Sequence, residues 1–119
     1  MRAIFDINQL SLPKAYKEAL TFMISKIQEF PVINDVILFG SCARQGVSQY
    51  SDIDLALVVS KVLSPEEEWS IDNSIRNWDV NLPCDVIFIP EKIFEQEIKG
   101  ETVIRPILRE GIRLSGLLR

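Results

Sequence analysis

VILFGSCARQGVSQYSDIDL, residues 36–55, is the stretch whose reading decides the fold. It opens with four apolar residues, Val36, Ile37, Leu38 and Phe39, as expected for a short strand buried on both faces. Gly40-Ser41 then turns the chain sharply, residues 41–45 suit a short helix, and residues 46–50 read as loop. A second apolar run over 53–59 starts a second strand at Asp52 or Ile53.

Working outward, residues 1–11 form a short arm in which Ile4, Phe5 and Ile7 can pack. Ser11 can cap a helix with Pro13 in its first turn, and Tyr16, Leu20, Met23, Ile24, Ile27 and Phe30 recur along one face. That spacing predicts a helix over 12–30, stopped by Pro31, followed by a turn at Asn34-Asp35. Downstream, Ser64-Pro65-Glu66-Glu67 is a capping box that starts a helix over 65–78, with Trp69, Ile71, Ile75 and Trp78 on its buried side. Glu66, Glu67 and Glu68 sit where the helix dipole favours negative charge, a better account of that run than a metal site. Residues 84–89, CDVIFI, make a third strand closed by Pro90, and a short helix over 91–99 stops at Gly100. A last helix over 101–110 precedes Gly111 and an apolar tail, and Arg105, Arg109 and Arg113 would share a solvated face if that helix ran on. With no repeat or linker, residues 1–119 read as a single α/β (α+β) domain, a small mixed sheet flanked by helices.

Composition narrows the function. A chain of 119 residues has room for one core and one cleft, so a large substrate must be met partly by a partner. The net charge of -4 argues against an extensive nucleic-acid surface, since such affinity comes from Lys and Arg neutralising phosphates. Cys42 and Cys84 form no CxxC pair and there is no histidine, which excludes a Cys/His zinc site and a Ser-His triad; two buried thiols in a reducing compartment are expected. No apolar run approaches the ~20 residues needed to cross a bilayer, so a cytoplasmic protein without a membrane partner is the expectation.

The chemistry lies at the aspartates. Alternation along a strand puts Asp52 and Asp54 on one face with Cα atoms ~6.6 Å apart, while Ile53 and Leu55 point into the core. Two carboxylates that close repel unless a cation lies between them, and convergent oxygens suit magnesium, whose remaining ligands are waters and substrate phosphates. Gly40 and Ser41, at a helix entry, offer close backbone approach, N–H groups and a hydroxyl to a phosphate, and Arg44 could add a charge-assisted bond. If the third strand lies beside the second, Asp85 reaches the same cleft and could share a metal or accept a proton. Other patterns fail on spacing: Ala56-Leu57 stand where an EF-hand loop needs its glycine, and Gly-Lys-Ser/Thr and a nucleophile elbow are both missing.

Gly40-Ser41, nine intervening residues, then Ser51-Asp52-Ile53-Asp54-Leu55 resembles the signature of the minimal nucleotidyltransferases of the DNA polymerase beta superfamily. The resemblance covers roughly residues 34–110 and implies a polymerase beta palm-like fold. It implies transfer of a nucleoside monophosphate, AMP from ATP in the simplest case, with two magnesium ions on Asp52, Asp54 and Asp85. Gly40, Ser41 and Arg44 would then hold the triphosphate. One departure is Gln45, where many members have glycine; here Gly46 comes one place later. Small standalone proteins of this kind are similar to the antitoxins of two-gene systems whose other half is a HEPN-domain RNase toxin, which they bind and can modify on a tyrosine. A binding module with an idle cleft and a transferase for aminoglycoside-like small molecules are the alternatives, and the base, the acceptor and any homo-oligomer stay open.

Overall fold

The computed structural model describes residues 1–44, 52–76, 82–100 and 109–118. Its elements in chain order are β1 (Arg2–Ala3), α1 (Lys14–Ile27), β2 (Ile33–Phe39), α2 (Ser41–Arg44), β3 (Ile53–Val59), α3 (Pro65–Ile75), β4 (Cys84–Pro90), α4 (Glu91–Ile98) and β5 (Ile112–Arg113). They build one five-stranded mixed sheet in the order β1-β5-β2-β3-β4. β2 runs antiparallel to β3 and to β5, while β3 and β4 are parallel and joined through α3. The parallel pairing follows from the connection: a helical crossover returns the chain to the same end of the sheet before the next strand begins.

One face of the sheet carries the main core. Val36, Leu38, Ile53, Leu55, Leu57 and Val59 pack there with Leu20, Met23 and Ile27 of α1 and Ile71 and Ile75 of α3. Each large side chain so buried contributes about 1.5–3 kcal/mol, so the α1 stripe is core. The opposite face has a smaller cluster of Ile37, Ala56, Val58 and Ile89 under Phe94 of α4. At one end of that second face stand the aspartates.

Several expectations are corrected. The first helix spans Lys14–Ile27 with Pro13 at its N-cap and no side-chain cap bond, so Ser11 does not cap it. Asn34-Asp35 lies inside β2 rather than in a turn, at an irregularity of register against β3. Asp35 tolerates this burial because its carboxylate accepts the Val36 N–H at 2.8 Å and holds the Arg113 guanidinium. The arm contributes β1 and a 3-10 turn at Ile7–Gln9 closed by its own Asp6–Gln9 capping box. Trp69 is 69% exposed, not buried, since only Ile71 and Ile75 of α3 reach the core. The tail after Gly111 is β5, with Ile112 and Leu114 buried, and Arg113 therefore lies on a strand and not on a helical face.

The capping box at Ser64 forms as expected: Ser64 Oγ accepts the Glu67 N–H at 3.1 Å and Glu67 Oε1 accepts the Ser64 N–H at 3.0 Å. α4 ends at Ile98, and Gly100 then adopts φ +78, the left-handed value that glycine reaches without penalty. The loop expected over 46–50, Gln45, Ser51, Trp78 and the greater part of the helix expected over 101–110, Arg105 included, lie outside the described residues. No described helix is long and apolar enough to cross a membrane.

Candidate metal and nucleotide site

Register brings the carboxylates together. Asp54 on β3 pairs with Asp85 on β4, and Phe39 at the end of β2 pairs with Asp54 on the other side. Asp52, Asp54 and Asp85 each place a carboxylate oxygen within 4.8 Å of the others. The third strand does lie beside the second. Asp52 and Asp54 are half-buried and Asp85 is exposed, so the cluster opens to solvent on the Asp85 side.

Electrostatics there favour a cation. Burial first, then the charges of Asp85 and Asp52, push the Asp54 carboxyl above its ordinary value, against the pull of Arg44. An all-oxygen, all-carboxylate donor set suits a hard cation such as magnesium and offers nothing to a soft one. The residues present therefore fit the metal that the sequence implies.

Gly40 completes the wall of the site. It holds φ +73, and a Cβ there would run into Asp54 Oδ2 and sit 3.1 Å from Asp54 Cγ. Only glycine lets the turn after β2 come this close to the carboxylate. α2 follows at once, its Ala43 and Arg44 N–H groups donating to the Gly40 carbonyl at 3.1 and 3.2 Å. In so short a helix the N–H groups of Ser41 and Cys42 have no intrahelical acceptor.

Arg44 is on the same turn, where it pairs with Glu110 at 2.9 Å, both side chains about half exposed. A surface pair of this kind is worth about 0–1 kcal/mol, so a phosphate can displace it at little cost.

Two supporting residues escaped the sequence reading. The Cys42 thiol donates to the Asp52 carbonyl at 3.2 Å and so ties α2 to the start of β3. Burial, helped by the charges of Asp54 and Asp52, pushes that thiol up to about 11, which keeps its proton on as a donor. Arg76, at the C-cap of α3, donates to the Asp72 carboxylate and to the Cys84 carbonyl, and thereby fixes the first residue of β4 beside Asp85. The four-residue spacing of Asp72 and Arg76 was a readable signal; the thiol bond, which spans two elements, was not.

A family model described as polymerase beta, nucleotidyltransferase, matches residues 23–114. The chain belongs to the polymerase beta nucleotidyltransferase family. No curated protein sequence matches it. Among solved structures, a chain of a mutant of the toxin-antitoxin MntA-HpeT aligns over 77% of this chain and 68% of its own, with TM-score 0.53 and 18% identity. A toxin-antitoxin with AMP-PNP aligns over 56% of this chain and 54% of its own, with TM-score 0.48 and 20% identity. A Sulfolobus solfataricus nucleotidyltransferase aligns over 72% and 83%, with TM-score 0.46 and 22% identity. The MntA-HpeT alignment speaks for the nucleotidyltransferase fold, the mixed sheet with helices expected from the sequence.

Proposed function

We propose that this member of the family transfers a nucleoside monophosphate, in the simplest case AMP from ATP, to a hydroxyl of a partner protein. The observation that carries this reading is the convergence of Asp52, Asp54 and Asp85 against the Gly40 turn. Magnesium ions held by the three carboxylates would neutralise the triphosphate and the departing pyrophosphate. Gly40 and Ser41 bind and orient the phosphates through backbone N–H groups and the serine hydroxyl, and Arg44 adds a charge. Asp85, the exposed carboxylate, accepts the proton of the attacking hydroxyl in this reading, and its exposure supports that role. The hydroxyl oxygen bonds to the α-phosphorus as the bond to the pyrophosphate oxygen breaks, so pyrophosphate leaves with the electron pair.

The partner we propose is a toxin, with this chain as antitoxin and a tyrosine of a HEPN-domain protein as the simplest acceptor. Support comes from the minimal-nucleotidyltransferase motif spacing, and the fold neighbour at TM-score 0.53 is itself part of a toxin-antitoxin pair. Purified chain, cognate partner, magnesium and labelled ATP should yield labelled partner, and Asp52→Asn should abolish the label. Labelling that survives the substitution would overturn the site assignment. Neutralisation of the partner by a variant lacking all three aspartates would show that binding alone suffices.

A further inference from the structure

β4 is the outer strand of the sheet, paired only with β3 among the described residues. The Ile53 N–H donates to the Pro83 carbonyl at 2.9 Å, which sets the phase of the parallel ladder. Alternate residues of β4 then turn their backbone groups toward β3, namely Asp85, Ile87 and Ile89, while Cys84, Val86 and Phe88 turn theirs outward. The Arg76 guanidinium bears this phase out by filling the outward carbonyl of Cys84. At the other end Pro90 has no N–H to offer. Between these limits the N–H and C=O groups of Val86 and Phe88 form an edge that no described strand covers, and Val86-Ile87-Phe88 has none of the lysines, prolines or bulges that usually guard one.

A groove runs along this edge between β4 and α3, and exposed Trp69 stands over it with Glu68 and Asp72. We propose that the edge of β4 is the docking strand for the acceptor polypeptide, which adds to the sheet as an extended segment bearing Lys or Arg on its α3-facing side. Charge selects this occupant. Glu68 and Asp72 line the groove, Asp85 lies on the edge strand itself, and no Lys or Arg lines the groove among the described residues; Arg76, near its Cys84 end, is already engaged by Asp72 and the Cys84 carbonyl. A second copy would bring Glu68 and Asp72 to face their own images across a two-fold axis, which like charges oppose.

The added strand also specifies a pattern. Residues directly opposite one another on paired strands project to the same face, so the residue opposite Asp85 presents its side chain beside that carboxylate, about 5 Å away in the pairing direction. A hydroxyl there reaches the aspartate cluster. Its neighbours on the segment project to the other face, that of Val86 and Phe88, where Trp69 offers a ring and Glu68 a carboxylate to a cation. This inference rests on the transfer reading above for the identity of its occupant.

The test uses the full chain, 15N-labelled and free of nucleotide and metal, with a nine-residue peptide as probe: tyrosine at the centre, lysine at even positions, threonine at the other odd ones. The Val86 and Phe88 amides should shift and exchange at least tenfold more slowly with solvent, and Trp69→Ala should weaken binding about two- to fivefold, the scale of one cation–ring contact. Glutamate in place of lysine, or N-methylation of alternate peptide amides, should abolish binding; equal binding by the N-methylated peptide, or silence at Val86 and Phe88, overturns the proposal. Protection of those amides that depends on protein concentration without peptide also overturns it, by giving the edge to a second copy. Because binding is read without nucleotide, an edge that binds in a protein that transfers nothing would count against the transfer reading and leave this one standing.

Discussion

Asp54 is the residue on which the site turns, and its protonation makes a prediction. The folded chain raises its pKa, chiefly through burial and the neighbouring Asp85 and Asp52 charges. A raised carboxyl contributes stability that is full below the ordinary aspartate range and is lost as pH rises through the folded value. At neutral pH the metal-free protein therefore bears that loss, and Asp54→Asn should stabilise it. Since the group is half-buried and screened, the gain is under about 1 kcal/mol, a few degrees in Tm. The same variant should lose most of the rise in Tm that magnesium gives the parent, and thermal scans across pH 4–8, run without metal and then with magnesium, read the two effects. Gly40→Ala makes the complementary case. Forcing a side chain into φ +73 costs about 1–2 kcal/mol and displaces Asp54, so metal affinity should fall about tenfold or more in a manganese titration. The convergence of Asp52, Asp54 and Asp85 against the Gly40 turn was legible in the sequence because a strand's alternation and a Gly-Ser turn at fixed spacing can be read without the fold. The Cys42 bond to the Asp52 carbonyl and the Arg76 bond to the Cys84 carbonyl were not, because only the fold defines where those backbone carbonyls lie; of Arg76's contacts only the one to Asp72, four residues away, left a signal.

Among elements, legibility followed the strength of local signals. The Ser64 box, with proline next and glutamate at the third position, specified the start of α3 by itself. Ser64→Ala should cost about 1 kcal/mol. Its hydrogen bonds hold the Glu67 carboxyl below the ordinary value, a contribution present above that value and lost as pH falls through the folded one. Acid unfolding of Glu67→Gln, which removes the titrating carboxyl, followed by circular dichroism, should therefore lose less stability between pH 5 and 3 than the parent does. The two-residue strand β5 left no period to read, and its place is set by distant residues: the Arg113 guanidinium bonds Asp35 and stacks 5.3 Å over the Phe94 ring. Asp35, an apparent turn former, is instead an anchor. Asp35→Asn should cost about 1.5–3 kcal/mol, the range of hydrogen bonds to charged groups, and pairing it with Arg113→Met should recover part of the loss in a double-mutant cycle by denaturant melting. Trp69 misled for a related reason: hydrophobicity at helical spacing does not distinguish a face turned to the core from one turned to a partner.

For the whole molecule, the sheet divides the labour. Its α1 and α3 face carries the main core, which holds β3 and β4 in the register that sets Asp54 against Asp85, while the opposite face keeps the aspartates at an open end. An α/β domain with a mixed sheet was readable because strand, crossover helix and strand follow one another with clear turn signals. The five-strand order was not, since β1 and β5 find each other across the length of the chain. The account stands on the claim that these three carboxylates form one metal centre serving a nucleotide. The direct test is manganese binding by paramagnetic resonance, with and without a non-hydrolysable ATP analogue, in the parent and in a folded variant carrying Asp52→Asn, Asp54→Asn and Asp85→Asn. The parent should bind more tightly with the analogue present, and the variant should bind more than about 100-fold more weakly, since even outer-shell changes cost 10–100-fold. Undiminished manganese binding by the variant would contradict the account.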